Sequence, residues 1–585
     1  MSWEVWTMKS KTSFFDPTLL KKNIGRFAPA WALLLVALFL AVPLPLMQRL
    51  IRSDADFNLL RVQHWLGDAL PIGIVFAFAA GLLFAALVFK YLHKTNAAYM
   101  MHAFPMTRTC QFVTNTVSGL LFWMVPTLVI ALCNLGILAL YGVTGLNGAV
   151  WALLGKWLLA FLLFYGLAVF TMHLSGNSII AVLSYGALNF IFLLIPVLVL
   201  MLIAFYFKGF DYSIPESLLR LAPLGAMLSL KELQTCWLLI YGAIGAVLLA
   251  LAWVHYRYRQ VERAGDAMVY GWARVAFRLI FTFCCALGLG WLLAAIFGLL
   301  SSRGVFLPYA LLGCFLGWFG SSMMLERTVK VFKNKKIWLG FAAFAGVLIL
   351  TVACLKYDLL GFQRRIPETS RVESVEIWTT EGDISDRITL TQAADVDAIR
   401  AAHEKALAKT DTRDATDIFD GYGGNALHIC YHLSGGGTLR RAYDLNLNDN
   451  YSALAALYSR PDVAEAWYAQ VLPEKFETAT LEGKIDEEVD EYGMINYAYE
   501  DLECRDPAAL RQAVLADAAA GRLPIVNFLT LNVGYFNGTS DEVYYRWSSD
   551  LYLWFRLQGT EEDGWNTRSI PITETATETI KLFTR

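Results

Sequence analysis

No Gly-x-x-x-x-Gly-Lys-Ser/Thr sequence occurs anywhere in the 585 residues, so the chain has no phosphate-binding loop with which to hydrolyse ATP. No His-Glu-x-x-His zinc signature occurs either, because His403-Glu-Lys-Ala-Leu lacks the second histidine. No glycine-rich dinucleotide fingerprint follows a strand pattern. The apolar runs contain no mid-run Asp or Glu, which argues against a proton- or ion-driven pump, since such machines carry a carboxylate inside the membrane. These absences assign no catalytic residue, no resident cofactor and no metal-ligand set, and they point away from an enzyme. Nothing suggests a nucleic-acid partner.

Charge is also scarce, at 17% of residues, and unevenly spread. Residues 1–360 hold 27 Lys+Arg against 12 Asp+Glu, whereas residues 361–585 hold 21 against 38. Of nine cysteines, Cys110, Cys133, Cys236, Cys284, Cys285, Cys314 and Cys354 lie in or beside apolar runs and read as small apolar packers. Cys430 and Cys504 fall in the polar remainder, where two cysteines are a weak disulfide signal. No cleavable signal peptide is evident.

Mean hydropathy is +0.47 and 57% of residues are hydrophobic, values of a membrane protein rather than a soluble one. Apolar runs at about 27–48, 71–92, 117–141, 150–173, 179–206, 236–256, 275–300, 305–325 and 338–356 are each long enough for a helix to cross a ~30 Å hydrocarbon core. Gly81, Gly166, Gly186, Gly288 and Gly290 are expected to allow close helix contact, and Pro43, Pro45 and Pro196 to kink helices. With the N-terminus inside, the inner segments carry 18 Lys+Arg and the short outer loops 7. The positive-inside rule therefore predicts a multi-pass protein of a cytoplasmic membrane, N-terminus inside, with residues 366–585 outside. Asn134 and Asn189 lie deep in spans. Their bland reading is an interhelical hydrogen bond, and a place along a substrate path is the minority one.

Two loop regions stand out. Residues 10–26 suggest an amphipathic helix leading into span one, with Asp16 as N-cap and Pro17 at the first helical position. The loop after span two, His93-Lys-Thr-Asn-Ala-Ala-Tyr-Met-Met-His-Ala-Phe-Pro-Met-Thr-Arg108, predicts a short helix over 97–104. Thr95 or Asn96 caps it and Pro105 ends it. It would show Tyr99, Met100, Met101, His102 and Phe104. Such an apolar-tipped knob suits docking of a soluble partner, although an interfacial helix with Arg108 on lipid phosphates is the blander alternative. Residues 256–266 (Tyr-Arg-Tyr-Arg-Gln-Val-Glu-Arg-Ala-Gly-Asp) read as a basic membrane-surface segment.

With the amphipathic leading helix, the motifs HAFPMTR, TNTVSGLLFW, SGNSIIAVLSYGALNF and RYRQVERAGDAM make the six-span block 27–256 resemble the permease subunit of bacterial ABC-2 type ABC transporters. Some members of that class carry extra spans and a C-terminal domain of unknown function. The resemblance implies that Asn96–Arg108 is a coupling helix (Asn96, Tyr99, Met100, Met101, His102, Phe104, Pro105 and Arg108) docking on a separate ATPase. That subunit would hold the ATP and Mg. A second permease copy or paralogue would complete the path. Residues 257–365, with a loop and three further spans, depart from the six-span pattern.

Residues 366–585 read as an acidic α+β domain. Strands are expected at Val372–Thr380, Ala426–Leu433 paired with Arg440–Leu447 through Gly435-Gly-Gly, Ile525–Val533 and Val543–Leu557. Helices are expected at Asp395–Ala408 and Asp506–Gly521, each opened by a capping Asp; convergent helix chemistry is the plainer account of their likeness, and an internal duplication of an α+β unit is the minority one. Asp444–Asn450 fails as a calcium loop, lacking the Gly and the final acid. The acidic run Asp486–Glu491 reads as a solvated loop, with binding of a divalent cation or a cationic peptide as the minority reading. The resemblance implies an ABC exporter permease that moves a substrate such as a peptide, drug or lipid. The acidity of the C-terminal domain favours a cationic one. The rival expectations are a membrane sensor whose outer domain binds a ligand, and a membrane-embedded enzyme, for which no convergent catalytic set is found.

Overall fold

The computed structural model describes residues 14–51, 58–143, 145–207, 209–211, 216–229, 235–297, 304–379, 387–408, 426–444, 451–474, 476–489, 495–525, 551–557, 567–573 and 575–583. Among these lie nine helices or helix pairs long and apolar enough to cross a membrane: Ala28–Ile51, Trp65–His93, Arg108–Leu140, Asn147–Leu174, Ser178–Tyr206, Thr235–Tyr258, Gly271–Ile296, Phe306–Glu326 and Lys335–Lys356. They coincide with the nine expected runs, and fit a multi-pass helical protein. The chain divides into two compact units: Met1–Val199 with Ile214–Leu293 and Pro308–Val347, and Leu200–Ser213 with Ala294–Leu307 and Leu348–Arg585.

In the first unit, α1 (Pro17–Arg26) begins as the sequence predicts. The Asp16 carboxylate accepts from the backbone N–H of Thr18 (2.8 Å) and Leu19 (3.2 Å), with Pro17 at the first position. Its Asn23 turns inward and donates to Asn115 Oδ1 (2.9 Å) and Ser118 Oγ (3.0 Å). The first span is two helices, α2 (Ala28–Ala41) and α3 (Pro43–Ile51), parted at Val42 because Pro43 has no N–H to continue the ladder. Four helices follow: α4 (Asn58–Phe89), a short α5 (Thr95–His102), α6 (Arg108–Leu140) and α7 (Asn147–Leu174). After them come α8 (Ser178–Tyr206), the short α9 (Glu216–Leu219) and α10 (Pro223–Ser229), and then α11 (Thr235–Tyr258). The last three are α12 (Gly271–Ile296), α13 (Phe306–Glu326) and α14 (Lys335–Lys356). Pro196 sits within the continuous α8.

Helix α7 is the most enclosed, packed against α4 on one side and α11 on the other. Lipid is as apolar as the helices, so this packing relies on close fit rather than on burial from water. Small residues supply the fit. A Cβ on Gly166 would lie 2.3 Å from the Gly245 carbonyl oxygen, and one on Gly245 would lie 2.3 Å from that of Leu162. Gly81 approaches the Phe164 backbone and Gly290 approaches Ala310 in the same way. Gly186 and Gly288 do not serve this role: a Cβ on either meets nothing within 4 Å. Trp123 stacks on Phe161 at 4.8 Å, and Phe161 on Tyr165 at 5.3 Å, filling the centre.

The second unit holds two four-stranded antiparallel sheets. The first has order β2-β1-β3-β4, from β1 (Val372–Thr379), β2 (Ile388–Leu390), β3 (Ala426–Leu433) and β4 (Thr438–Asp444). The second has order β6-β5-β7-β8, from β5 (Phe476–Val489), β6 (Ile495–Glu503), β7 (Leu551–Leu557) and β8 (Thr567–Ile572). In each, a hairpin, a helix and a second hairpin follow in that order. The helices are α15 (Ala393–Ala408) in the first and α18 (Pro507–Ala519) in the second. The first strand of each unit pairs with both its hairpin mate and the first strand of the second hairpin. This repeat of topology is what the duplication expectation requires. Between the repeats lie α16 (Tyr451–Tyr458) and α17 (Pro461–Val471), and α19 (Thr577–Ile580) closes the chain. One core serves both sheets, with Val375, Ile377, Tyr431, Leu481, Leu553 and Ile570 buried in it.

The glycine hairpin holds, with Gly436 at φ +79 in the turn between β3 and β4. Asp506 caps α18 by accepting from Ala508 (3.1 Å) and Ala509 (3.2 Å) N–H. Asp395 does not cap α15. It lies inside the first turn, and its carboxylate takes Arg460 at 2.5 Å instead. Asp486–Val489 belong to a strand rather than a loop, because the partner strand β6 supplies the ladder that the charged sequence conceals. Residues 490–491, the Asp444–Asn450 segment beyond Asp444, and the expected strands at 526–533 and 543–550 lie outside the described residues. Cys430 and Cys504 are both free thiols, Cys430 on β3 and Cys504 in an isolated bridge to Phe583 just after β6.

Candidate functional site: the short helix between the second and third spans

The chain leaves α4 through a 3-10 turn, Lys90–His93, and enters α5 directly. Helix α5 therefore begins at Thr95, two residues before the expected start. Lys94 stands at its N-cap with no side-chain bond, so neither Thr95 nor Asn96 is the cap. Ala103 ends it, and Phe104, Pro105 and Met106 form the turn into α6, whose own N-cap Thr107 accepts from the Cys110 N–H at 3.1 Å.

The surface of this segment differs from the expectation in one respect. Tyr99 (52% exposed), Met100 (61%) and Phe104 (46%) stand free, and Asn96 and Pro105 are exposed beside them. Met101 and His102 turn inward. The His102 ring stacks on Tyr256 at 5.9 Å, and the Met101 carbonyl accepts from Gln111 Nε2. The reason is helical geometry. On an eight-residue helix lying along the bundle end, one face meets the bundle, and buried Ala98 and half-buried Met101 and His102 lie on it. Burial, then the charges of Arg108 and Arg259, hold the His102 imidazole below its ordinary value.

A polar network runs from α5 into the spans. Tyr256 Oη donates to Gln111 Oε1 (2.8 Å), and the Tyr91 and Tyr256 hydroxyls share a hydrogen bond at 3.0 Å. His93 bridges Ser178 Oγ (2.9 Å) and the Met172 carbonyl (3.0 Å). Arg108 donates to the carbonyls of Arg257 (3.1 Å) and Arg259 (2.8 Å) rather than lying free for lipid phosphates.

The centre of the network is a residue the sequence did not single out for a role. Arg259, only 5% exposed, donates to the carbonyls of Met172 (3.2 Å), His173 (2.8 Å), Ser175 (3.1 Å) and Leu92 (3.0 Å). Burial pulls its guanidinium down to about 10, which leaves it charged at neutral pH. It thus satisfies carbonyls at the end of α7 and in the turn leading to α5, where a cation also complements the helix dipole. The 256–266 segment is accordingly a structural clasp and not simply a surface strip. Gly176 donates to the Asp266 carbonyl (2.9 Å) and accepts from the Gly265 N–H (2.6 Å), and a Cβ on Gly176 would lie 2.4 Å from the Arg263 carbonyl oxygen.

The two span asparagines lie elsewhere. Both are buried. Asn189 Nδ2 bonds to the Tyr185 carbonyl of its own helix (2.9 Å), and among the described residues its Oδ1 and both amide atoms of Asn134 have no hydrogen-bond partner. The expected interhelical hydrogen bonds are therefore not made. Asn189 instead finds the carbonyl one turn back, the nearest acceptor a helix offers. Neither asparagine approaches the α5 network by a hydrogen bond. Comparison with protein-family models, curated proteins and solved structures gives no match for this chain.

Proposed function

We propose that the chain is the membrane permease subunit of an ABC exporter of the ABC-2 type, with α5 as its coupling helix. The observation that carries this reading is α5 itself. It presents Tyr99, Met100 and Phe104 outward, while its inner face is fastened to α6 and α11 through Met101, Gln111, His102 and Tyr256. A knob of this kind serves force transmission, because a push on it reaches the spans through bonded groups rather than through a slack loop. A partner ATPase dimer would bind the exposed trio and hydrolyse ATP with its own Mg. A second permease copy or paralogue would complete the path in the bilayer. The N-terminus and α5 would be cytoplasmic and residues 366–585 extracytoplasmic, with the acidic domain favouring a cationic substrate.

The test is a Tyr99→Asp, Met100→Asp, Phe104→Asp variant purified from native membranes beside the unaltered protein. The unaltered chain is expected to co-purify stoichiometrically with a soluble P-loop ATPase, and the variant to lose it while keeping its thermal stability. Co-purification unchanged in the variant would remove α5 from the docking role. Absence of any ATPase from intact complexes would favour the sensor reading.

A further inference from the structure

We propose that Glu376, Cys430 and His432 on the first sheet form a binding site for a divalent transition-metal ion of the zinc type. Strand alternation places them together. Val375, Ile377, Ile429 and Tyr431 fill the core from one face of β1 and β3, so Glu376, Cys430 and His432 share the other face. Glu376 is directly opposite Cys430 in the ladder, and His432 follows two residues along β3. One ligand atom from each lies within 4.8 Å of the other two.

The spacing matches a tetrahedral ion. Zn–S bonds of about 2.3 Å and Zn–N or Zn–O bonds of about 2.0–2.1 Å put sulfur and nitrogen about 3.5 Å apart, and nitrogen and oxygen about 3.4 Å apart. Here Cys430 Sγ lies 3.8 Å from His432 Nε2, and His432 Nε2 lies 3.2 Å from Glu376 Oε1. Those two separations need adjustments of a few tenths of an ångström; the third, sulfur to carboxylate, lies within 4.8 Å and closes by at most about 1.3 Å, within reach of side-chain rotation on a fixed ladder. A thiolate, an imidazole and a carboxylate suit zinc better than magnesium or calcium, which take oxygen alone. Cys430 is buried, His432 is partly exposed, and three protein ligands leave a fourth position for an outside donor.

Of the two neighbouring cations, Arg387 leaves the ligating atoms free and Arg440 engages the sulfur. Arg387 approaches the other carboxylate oxygen, Glu376 Oε2, at 3.5 Å and rests on the Trp378 ring at 4.2 Å, so it steadies the carboxylate from outside. Arg440, opposite Cys430 on β4, hydrogen-bonds the Cys430 sulfur, a contact that the ion must displace. On binding, the Cys430 thiol loses its proton to solvent as the metal–sulfur bond forms, and no electron moves. The site is independent of the transporter reading.

The experiment titrates the full-length protein in detergent, stripped with a chelator, with Co2+ as a spectroscopic stand-in. Equimolar binding with a sulfur-to-cobalt charge-transfer band and tetrahedral d–d bands is expected. The band should vanish in Cys430→Ser and persist in Cys504→Ser. Half-exposed His432→Ala, which leaves the core untouched, should weaken binding by at least about tenfold. No saturable Co2+ binding, a band surviving Cys430→Ser, or affinity unchanged in His432→Ala would each overturn the site.

Discussion

Arg259 answers a problem posed by every helix end: the last turn leaves carbonyls without partners, and near a membrane there is little water to supply them. One guanidinium reaches four such oxygens. Replacing it with glutamine forfeits most of these charge-assisted bonds. Arg259→Gln is expected to cost about 3 kcal/mol, seen as a lower midpoint in thermal unfolding of the detergent-solubilised protein. Arg259→Lys should recover only part, because an ammonium cannot fork toward several carbonyls at once. Equal midpoints for all three proteins would show that the carbonyls are satisfied otherwise. His102 gives a second prediction, with a definite sign. Its imidazole titrates below the ordinary value of about 6.5, so the folded state favours the neutral ring. The contribution is complete above that pH and is lost as pH falls toward the depressed value. Amides of α5 should therefore exchange hydrogen faster at pH 5 than at pH 7 after correction for intrinsic rates. His102→Gln should flatten the difference, and an unchanged difference in that variant would clear His102 of the effect.

At the scale of elements, what the sequence disclosed follows from how much local rule each element obeys. The nine long apolar helices were legible because a bilayer demands about 20 apolar residues per crossing and tolerates no exposed backbone, which leaves an unbroken apolar run in the sequence. The start of α1 and the β3–β4 turn were legible because Asp16, Pro17 and the glycine run are local signals. The β5–β6 hairpin was not, because Asp486–Glu488 look like a solvated loop until the pairing strand is known. The inward turn of Met101 and His102, the burial of Arg259 and the grouping of Glu376 with Cys430 and His432 depend on contacts between residues distant in sequence. Close helix approach is an intermediate case: glycine marks candidates, and only packing selects Gly81, Gly166 and Gly290 over Gly186 and Gly288. No local signal distinguishes Gly245, yet it has the tightest approach between α7 and α11 together with Gly166. A methyl group there would meet backbone, which cannot rotate away. Gly245→Ala is expected to lower the thermal midpoint by an amount matching about 1–3 kcal/mol. Gly136→Ala, where a Cβ meets nothing within 4 Å, should not lower it. If both variants melted alike, close packing of these helices would not be a source of stability.

For the whole molecule, the proposed arrangement rests on parity. Nine crossings would put the two ends of the chain on opposite sides of a bilayer, and eight or ten would not. In the proposed orientation, the count of 18 basic residues against 7 in the short loops would then put α5 inside. The acidic excess of residues 361–585 adds no independent vote, since acidic residues contribute little to orientation. The docking proposal depends on this outcome, because a partner that hydrolyses ATP is found only in the cytoplasm. An epitope tag after Arg585 is therefore expected to bind antibody on intact spheroplasts, and a tag before Met1 only after permeabilisation. The reverse pattern would leave α5 facing away from any ATPase and end the transporter reading outright. Both tags on one side would mean that one of the nine helices does not cross. The least apolar of them, Phe306–Glu326, would be the first candidate for a helix that stays on one side.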